Sequence, residues 1–292
     1  MYELVQAGDN TFYIHCPAKI GIWRETETDV YLIDSGNDKD AGRKVRQILD
    51  RNGWRLRGIL NTHSNADHIG GNHYLQGQYG CPAFAAGAEA ALTRYPLLEP
   101  TVLWGGCPFK ELRNKFLMAQ ESDARELTDP AFPAAVGVIP LPGHFVDMVG
   151  FRTPDDVVFL ADCVASPATL TKYGVTFLYD IAAQLETLDQ VERMEAALFV
   201  PAHADAATDV QELVRLNRDK TLEIADTLLA LCETPRIFED ILQKLFVQYQ
   251  LTMNAAQYVL VGSTVRSYLS WLKDTGRLDI RFEDNRMLFA RV

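Results

Sequence analysis

The chain has 292 residues, a formal net charge of −11 and 48% hydrophobic residues, enough for a full core and against disorder. The acidic balance disfavours general binding to phosphate backbones, and no apolar stretch reaches the roughly 20 residues that span a bilayer. The N-terminus Met-Tyr-Glu-Leu-Val-Gln lacks the features of a secretory signal, and five cysteines without a Cys-x-x-Cys pair point to free thiols in a reducing cytoplasm.

Strand patterns run over 11–15, 21–23 and 30–33, the last ending in the turn Asp34-Ser35-Gly36. Residues 40–52 form an amphipathic helix with Val45, Ile48 and Leu49 on one face. Strand 56–61 leads into Thr62-His63-Ser64-Asn65-Ala66-Asp67-His68, Gly70-Gly71 opens a short helix, and 81–85 is a further strand. Residues 87–130 lack a clean period and read as mixed helix and loop, a candidate lid. Strands resume at 138–141, 148–152 and 157–161, a helix covers 181–197, and strand 198–200 follows. This interleaving is α/β.

After Thr208, a plausible helix cap, residues 209–231 carry leucines at helical spacing. Thr234-Pro235 opens another helix, Thr252 caps a second, and Ser263 or Thr264 caps a third. Strands around Leu278–Phe282 and Met287–Val292 flank the turn Glu283-Asp284-Asn285-Arg286. Three helices and a hairpin make a winged-helix arrangement. The expected organisation is a catalytic domain over 1–207, a connecting helix over 208–232 and a small winged-helix-like domain over 233–292. Residues 233–292 hold eight Lys/Arg and seven Asp/Glu, so the tail is near +1 and the rest near −12. The expected recognition helix offers only Arg266 and Lys273 as cations, which disfavours DNA reading.

Metal-capable residues concentrate at strand ends: His63, Asp67 and His68 in the motif, then His144, Asp162 and His203. Imidazole and carboxylate together form the usual zinc shell, and an open zinc site is a hydrolytic catalyst. This ordered set, the Asp34-Ser35-Gly36 turn and Gly70-Gly71 resemble the metallo-β-lactamase superfamily over about residues 1–207, and the tail resembles that of a winged-helix-bearing subgroup. The resemblance implies a four-layer αββα sandwich. It also implies one metal site from His63, position 65 and His144, a second from Asp67, His68 and His203, and Asp162 bridging them.

Asn65 stands where the family has histidine, and a carboxamide oxygen is the weaker zinc ligand. Three readings stay open: a tight second site beside a loose first, a mononuclear enzyme, or an oxygen-rich site suited to manganese or iron. The cofactor is therefore zinc, one or two ions per chain, with manganese or iron as alternatives. The resemblance implies a hydrolase using a metal-bound hydroxide on a thioester, ester or lactone, with Asp67 and Asp162 as the catalytic carboxylates. The alternatives are a phosphodiesterase or ribonuclease, and a catalytically weak sensor or scaffold. Lys172 and Tyr173, after the bridging Asp162, are candidate substrate contacts, as are Lys110, Arg113, Lys115 and Tyr179; Trp104 and Phe109 are candidate pocket walls. The expected partner is a small-molecule substrate, with a homodimer open and neither nucleic acid nor membrane favoured.

Overall fold

A computed structural model describes residues 2–292. Its first half runs β1 (Glu3–Gln6), β2 (Thr11–His15), β3 (Ile20–Arg24), β4 (Asp29–Ile33), α1 (Lys39–Asn52), β5 (Arg55–Leu60), α2 (Ala66–Ile69), α3 (Asn72–Tyr79), β6 (Ala83–Ala85), α4 (Gly87–Arg94), α5 (Leu98–Trp104), a 3-10 turn (Lys110–Leu112) and β7 (Arg125–Glu126). The second half runs β8 (Gly137–Pro140), β9 (Val149–Arg152), β10 (Val157–Ala165), α6 (Pro167–Tyr173), α7 (Ile181–Glu192), β11 (Leu198–His203), α8 (Gln211–Leu231), α9 (Phe238–Gln248), α10 (Ala255–Asp274), β12 (Leu278–Glu283) and β13 (Arg286–Arg291).

The strands β1 to β7 form one sheet in sequence order, and β11-β10-β9-β8 form a second. Their side chains sort by the two-residue period of a strand. In β4, Val30 and Leu32 face the helices α1 and α3, whereas Tyr31 and Ile33 face the other sheet. In β10, Val157 and Phe159 face the first sheet, whereas Val158 and Leu160 face α7 and α8. Three apolar layers thus separate four structural ones, and the architecture is an αββα sandwich. Gly21 permits the sheets to close, since a Cβ there would stand 2.5 Å from the Phe159 ring.

A fourth apolar cluster joins α8, α9, α10 and the β12-β13 hairpin to Val175, Leu178 and Ile181. The helices here differ from expectation. The second and third helices expected in the tail are one, α10, capped by Asn254, whose side chain accepts from Gln257 N. Ser263 and Thr264 do not cap. Thr264 Oγ1 bonds back to Leu260 O at 3.1 Å, four residues earlier, and Ser263 O receives the Ser267 hydroxyl, so the helix continues. Nor does Pro235 open a helix; Arg236 pairs with Phe289 and α9 starts at Phe238. Asp209 replaces Thr208 at the start of α8, its Oδ1 accepting from Gln211 N. The helix expected to reach residue 197 stops at Glu192, because Asp156 draws Ala197 N back to the sheet at 2.9 Å. Residues 98–117 pack Leu103, Leu112 and Leu117 onto Val259 of α10, the anchored wall of a cleft in place of the expected lid.

The turn 34–37 is strapped to α2 and α3: Ser35 N donates to His68 O at 2.7 Å and Gly71 N to Gly36 O at 3.1 Å. A Cβ on Gly71 would stand 2.3 Å from Ser35 O, whereas one on Gly77, within α3, would meet nothing within 4 Å. Urea unfolding should accordingly separate the two. Gly71→Ala is expected to cost about 1–3 kcal/mol by overpacking, and Gly77→Ala to add about 0.5–1 kcal/mol by helix propensity.

Candidate metal centre

Each candidate ligand sits where regular structure breaks off. His63 follows β5, Asp67 and His68 occupy the single turn α2, and His203 ends β11. His144 follows Gly143, whose φ of +127° and approach to the Gln184 backbone admit no side chain. Asp162 follows Ala161, which has φ +50° at a register shift in β10; this bulge re-aims the strand.

These residues converge. His63, His144 and Asp162 place donor atoms within 4.8 Å of one another, and so do Asp67, His68 and His203. Asp162 joins the groups, with Oδ1 3.0 Å from His68 Nε2 and Oδ2 3.2 Å from His203 Nε2. The Asp162–His68 pair is close, yet its geometry makes no hydrogen bond.

Hydrogen bonding behind the rings fixes which nitrogen faces inward. His68 Nδ1 lies 2.7 Å from Asp34 Oδ2, and an ionised carboxylate only accepts, so Nδ1 carries the proton. Thr62 donates its hydroxyl to the same Asp34 oxygen at 2.8 Å and therefore accepts from His63 Nδ1 at 2.9 Å. His203 Nδ1 donates to Pro17 O at 3.0 Å. Three Nε2 atoms thus point into the centre, and His144 Nε2 joins them 3.7 Å from Asp162 Oδ2. Buried His63 Nε2, His68 Nε2 and Asp162 Oδ1 have no hydrogen-bond partner. Orphaned buried polar atoms are costly, and these are the donor types of a divalent-cation shell, so the residues fit such an ion.

The charges fit as well. Burial lowers the pKa of His63 and of His144. Burial acts in the same direction on His68, but Asp162, Asp67 and Asp34 outweigh it and raise that pKa well above the usual value. Asp162 raises His203 to about 10. The carboxyls of Asp162 and Asp67 are held down by His203 and His68 against the opposing effect of burial. The centre is an anionic nest that draws protons onto two rings where a cation could sit.

Asn65 faces this centre. Its Nδ2 donates to Glu99 Oε1 at 2.8 Å, which turns Oδ1 inward, 3.1 Å from His144 Nε2. Glu99, on α5, is buried, and burial raises its pKa well above normal. A second buried carboxyl, Glu89 of α4, accepts from Ser64 N and Oγ and from Asp147 N, tying the motif loop to the loop after His144; burial raises it to about 7. Asp34, Glu89 and Glu99 were not among the candidates picked from sequence. Asp34 alone carried a local signal, the turn composition after a strand.

The centre opens into a cavity of about 680 Å³. Lys172 and Tyr173 line it from α6, and Lys115 lines it from the segment after the 3-10 turn. Lys110, Arg113 and Tyr179 are not among its lining residues. Trp104 and Phe109 meet edge to face with ring centroids 5.2 Å apart and do not line it either. His73 bonds Glu121 O away from the centre, and His15 ends β2, exposed. Cys163 is buried at the cavity wall. Among the described residues, no helix is long and apolar enough to cross a membrane.

The solved structure of a beta-lactamase domain protein from Burkholderia ambifaria superposes with a TM-score of 0.74 at 17% identity, covering 99% of this chain and 94% of that one. A metallo-beta-lactamase family protein from Thermus thermophilus gives 0.74 at 17%, covering 97% and 99%, so the shared fold extends through the C-terminal helices. In sequence, an uncharacterized protein of Mycobacterium tuberculosis is 26% identical over 196 residues, 62% of this chain and 83% of its own length. A hydroxyacylglutathione hydrolase of Nitrobacter winogradskyi is 30% identical over 131 residues, 44% of this chain and 42% of its own length. The family model described as the Metallo-beta-lactamase superfamily matches residues 22–203, from β3 to the last of the converging histidines, and the chain belongs to that superfamily.

Proposed function

We propose that the protein is a metal-dependent hydrolase of acyl thioesters, with His63, Asn65 and His144 as one metal site, Asp67, His68 and His203 as the other, and Asp162 shared. The observation that carries this reading is the convergence of six histidine and carboxylate donors on one point, among which buried His63 Nε2, His68 Nε2 and Asp162 Oδ1 have no hydrogen-bond partner. The thioester is favoured over other acyl bonds by the relatives named hydroxyacylglutathione hydrolase, whose matches cover less than half of either chain. A divalent cation there supplies Lewis-acid polarisation of the scissile carbonyl and a water that ionises near neutral pH.

The chain's own residues supply the rest. Asp34 and Thr62 lock the His68 and His63 tautomers, so neither ring must reorganise. Asp67, partly exposed to the cavity with Oδ2 3.4 Å from His203 Nε2, is placed to accept a hydrogen bond from the attacking water and orient it. Glu99 holds the Asn65 amide with its oxygen inward, giving the first site a neutral oxygen donor in place of a third nitrogen. The first site is accordingly the weaker, and zinc at about one to two ions per chain is expected.

Metal analysis and thioester turnover test this together. Asp67→Ala should lower kcat/KM for an acyl thioester by more than about a hundredfold; retained activity would remove Asp67 from the site. Asn65→His should move zinc content toward two, while Glu99→Gln, which leaves the amide free to turn, should weaken the first site about 10- to 100-fold. Cleavage of bis(nitrophenyl) phosphate without thioester turnover would favour a phosphodiesterase instead.

Binding should also release protons. His68 and His203 hold theirs at neutral pH because both pKa values are raised. Zinc must displace protons held there, so titration calorimetry at about pH 7.5 in buffers of different ionisation enthalpy should show net proton release, and a heat independent of buffer would count against it. Affinity should rise with pH as His203 approaches its pKa of about 10.

A further inference from the structure

The cavity has a second wall that the proposed metal chemistry does not use. Asn217, Lys220, Thr221 and Ile224 line it from α8, spaced i, i+3, i+4 and i+7, and Gln257, Leu260 and Val261 line it from α10, spaced i, i+3 and i+4. Each helix therefore turns one face toward the space that begins at Asp67 and Asp162. Between them lie Leu170 of α6 and the segment Val175–Leu178.

Most polar groups on this wall are already committed, the Gln257 amide and the Thr176 hydroxyl excepted. The Asn217 amide accepts from Ala165 N and donates to Ala165 O and Leu213 O; the Thr221 hydroxyl bonds Asn217 O. Gln184 Nε2 donates to Cys163 O, and its Oε1 is fully buried without access to the cavity. Lys220 Nζ pairs with Glu223 at 2.9 Å and lies over the Tyr249 ring. The apolar part of the wall is formed by Leu170, Val175, Ile224, Leu260 and Val261; Leu260 is half-buried and the other four are buried behind it in the apolar packing. A volume of about 680 Å³ also exceeds what an acetyl or lactoyl group beside the metal centre would fill.

We infer that this arm, walled by α8 and α10, receives a straight hydrocarbon acyl chain of about four to eight carbons, so that the C-terminal helices set acyl-chain specificity. The inference rests on the thioesterase reading. It assigns the acyl half of the substrate only. The carbonyl lies at Asp67 and Asp162, and the chain runs away from them between α6 and the C-terminal helices.

The test is a series of N-acetylcysteamine thioesters, acetyl, butyryl, hexanoyl and octanoyl, with the zinc-loaded full-length protein. Burial predicts a rise in kcat/KM of about fourfold per methylene until the arm is full. Leu260→Trp, at a half-buried position of α10, and Ala168→Trp, at an exposed cavity-lining position of α6, should each collapse the octanoyl-to-acetyl ratio by at least about tenfold. A profile flat in chain length, or a ratio unmoved in both variants, would overturn the acyl arm while leaving the hydrolase intact. If no thioester is cleaved, the thioesterase reading fails and the arm is judged by binding alone. Octanoate should then perturb the protein in calorimetry where acetate does not, with the response lost in Leu260→Trp, and equal response to the two acids would overturn it.

Discussion

One carboxylate organises the centre. Asp34 sits in the left-handed region at φ +63°, buried at the end of β4, and its two oxygens serve Thr62 N, the Thr62 hydroxyl and His68 Nδ1. Through Thr62 it reaches His63 as well. A single anion thus dictates the protonated nitrogen of two rings on adjoining elements. A non-glycine residue at positive φ is uncommon, and here the strain is held by three hydrogen bonds and by the strap that joins Ser35 and Gly36 to His68 and Gly71. Remove that anchor and the inward Nε2 atoms lose their fixed aim, although each residue would still be present in the sequence.

The converging residues were legible because the chain writes them at strand ends. His63, Asp67 and His68 are local to one loop and one helical turn, and His144, Asp162 and His203 each follow an apolar run whose strand delivers them to the same edge. The four layers follow from the family resemblance alone, since the apolar runs 30–33 and 157–160 show no alternation; packing is what splits each strand between two apolar clusters. What lay beyond reach were partners chosen by packing. Glu99 is 34 positions from Asn65, in a stretch without clean periodicity, and only the packing of α5 brings its carboxyl to the amide. The tail misled for a different reason. Ser263 and Thr264 are good caps in isolation, but a hydroxyl inside a continuing helix can bond the carbonyl four residues back instead, and here Thr264 does so while Leu178 N also claims it.

The substitution at position 65 does not read as simple decay. A site that had lost its metal would have little use for a buried acid aimed at an amide, because burying Glu99 raises its pKa and costs stability. Asn65 instead has both ends engaged, nitrogen on Glu99 and oxygen toward His144. The pairing makes chemical sense when the inward atom must be an oxygen, since a free amide would settle in either orientation.

The C-terminal helices take their meaning from the same geometry. Their apolar cluster incorporates Val175, Leu178 and Ile181, which follow Asp162 in the chain and precede or open α7, so the helices share apolar packing with the sandwich. A nucleic-acid reader needs an exposed cationic helix, and Arg266 of α10 lies 3.8 Å over the Phe238 ring while Lys273 pairs with Asp279. Both cations thus make intramolecular contacts at the surface. The face of α10 that meets the cavity carries Gln257, Leu260 and Val261, and the same helix packs Val261, Val265 and Leu269 into the C-terminal cluster, so it forms core and cavity wall at once.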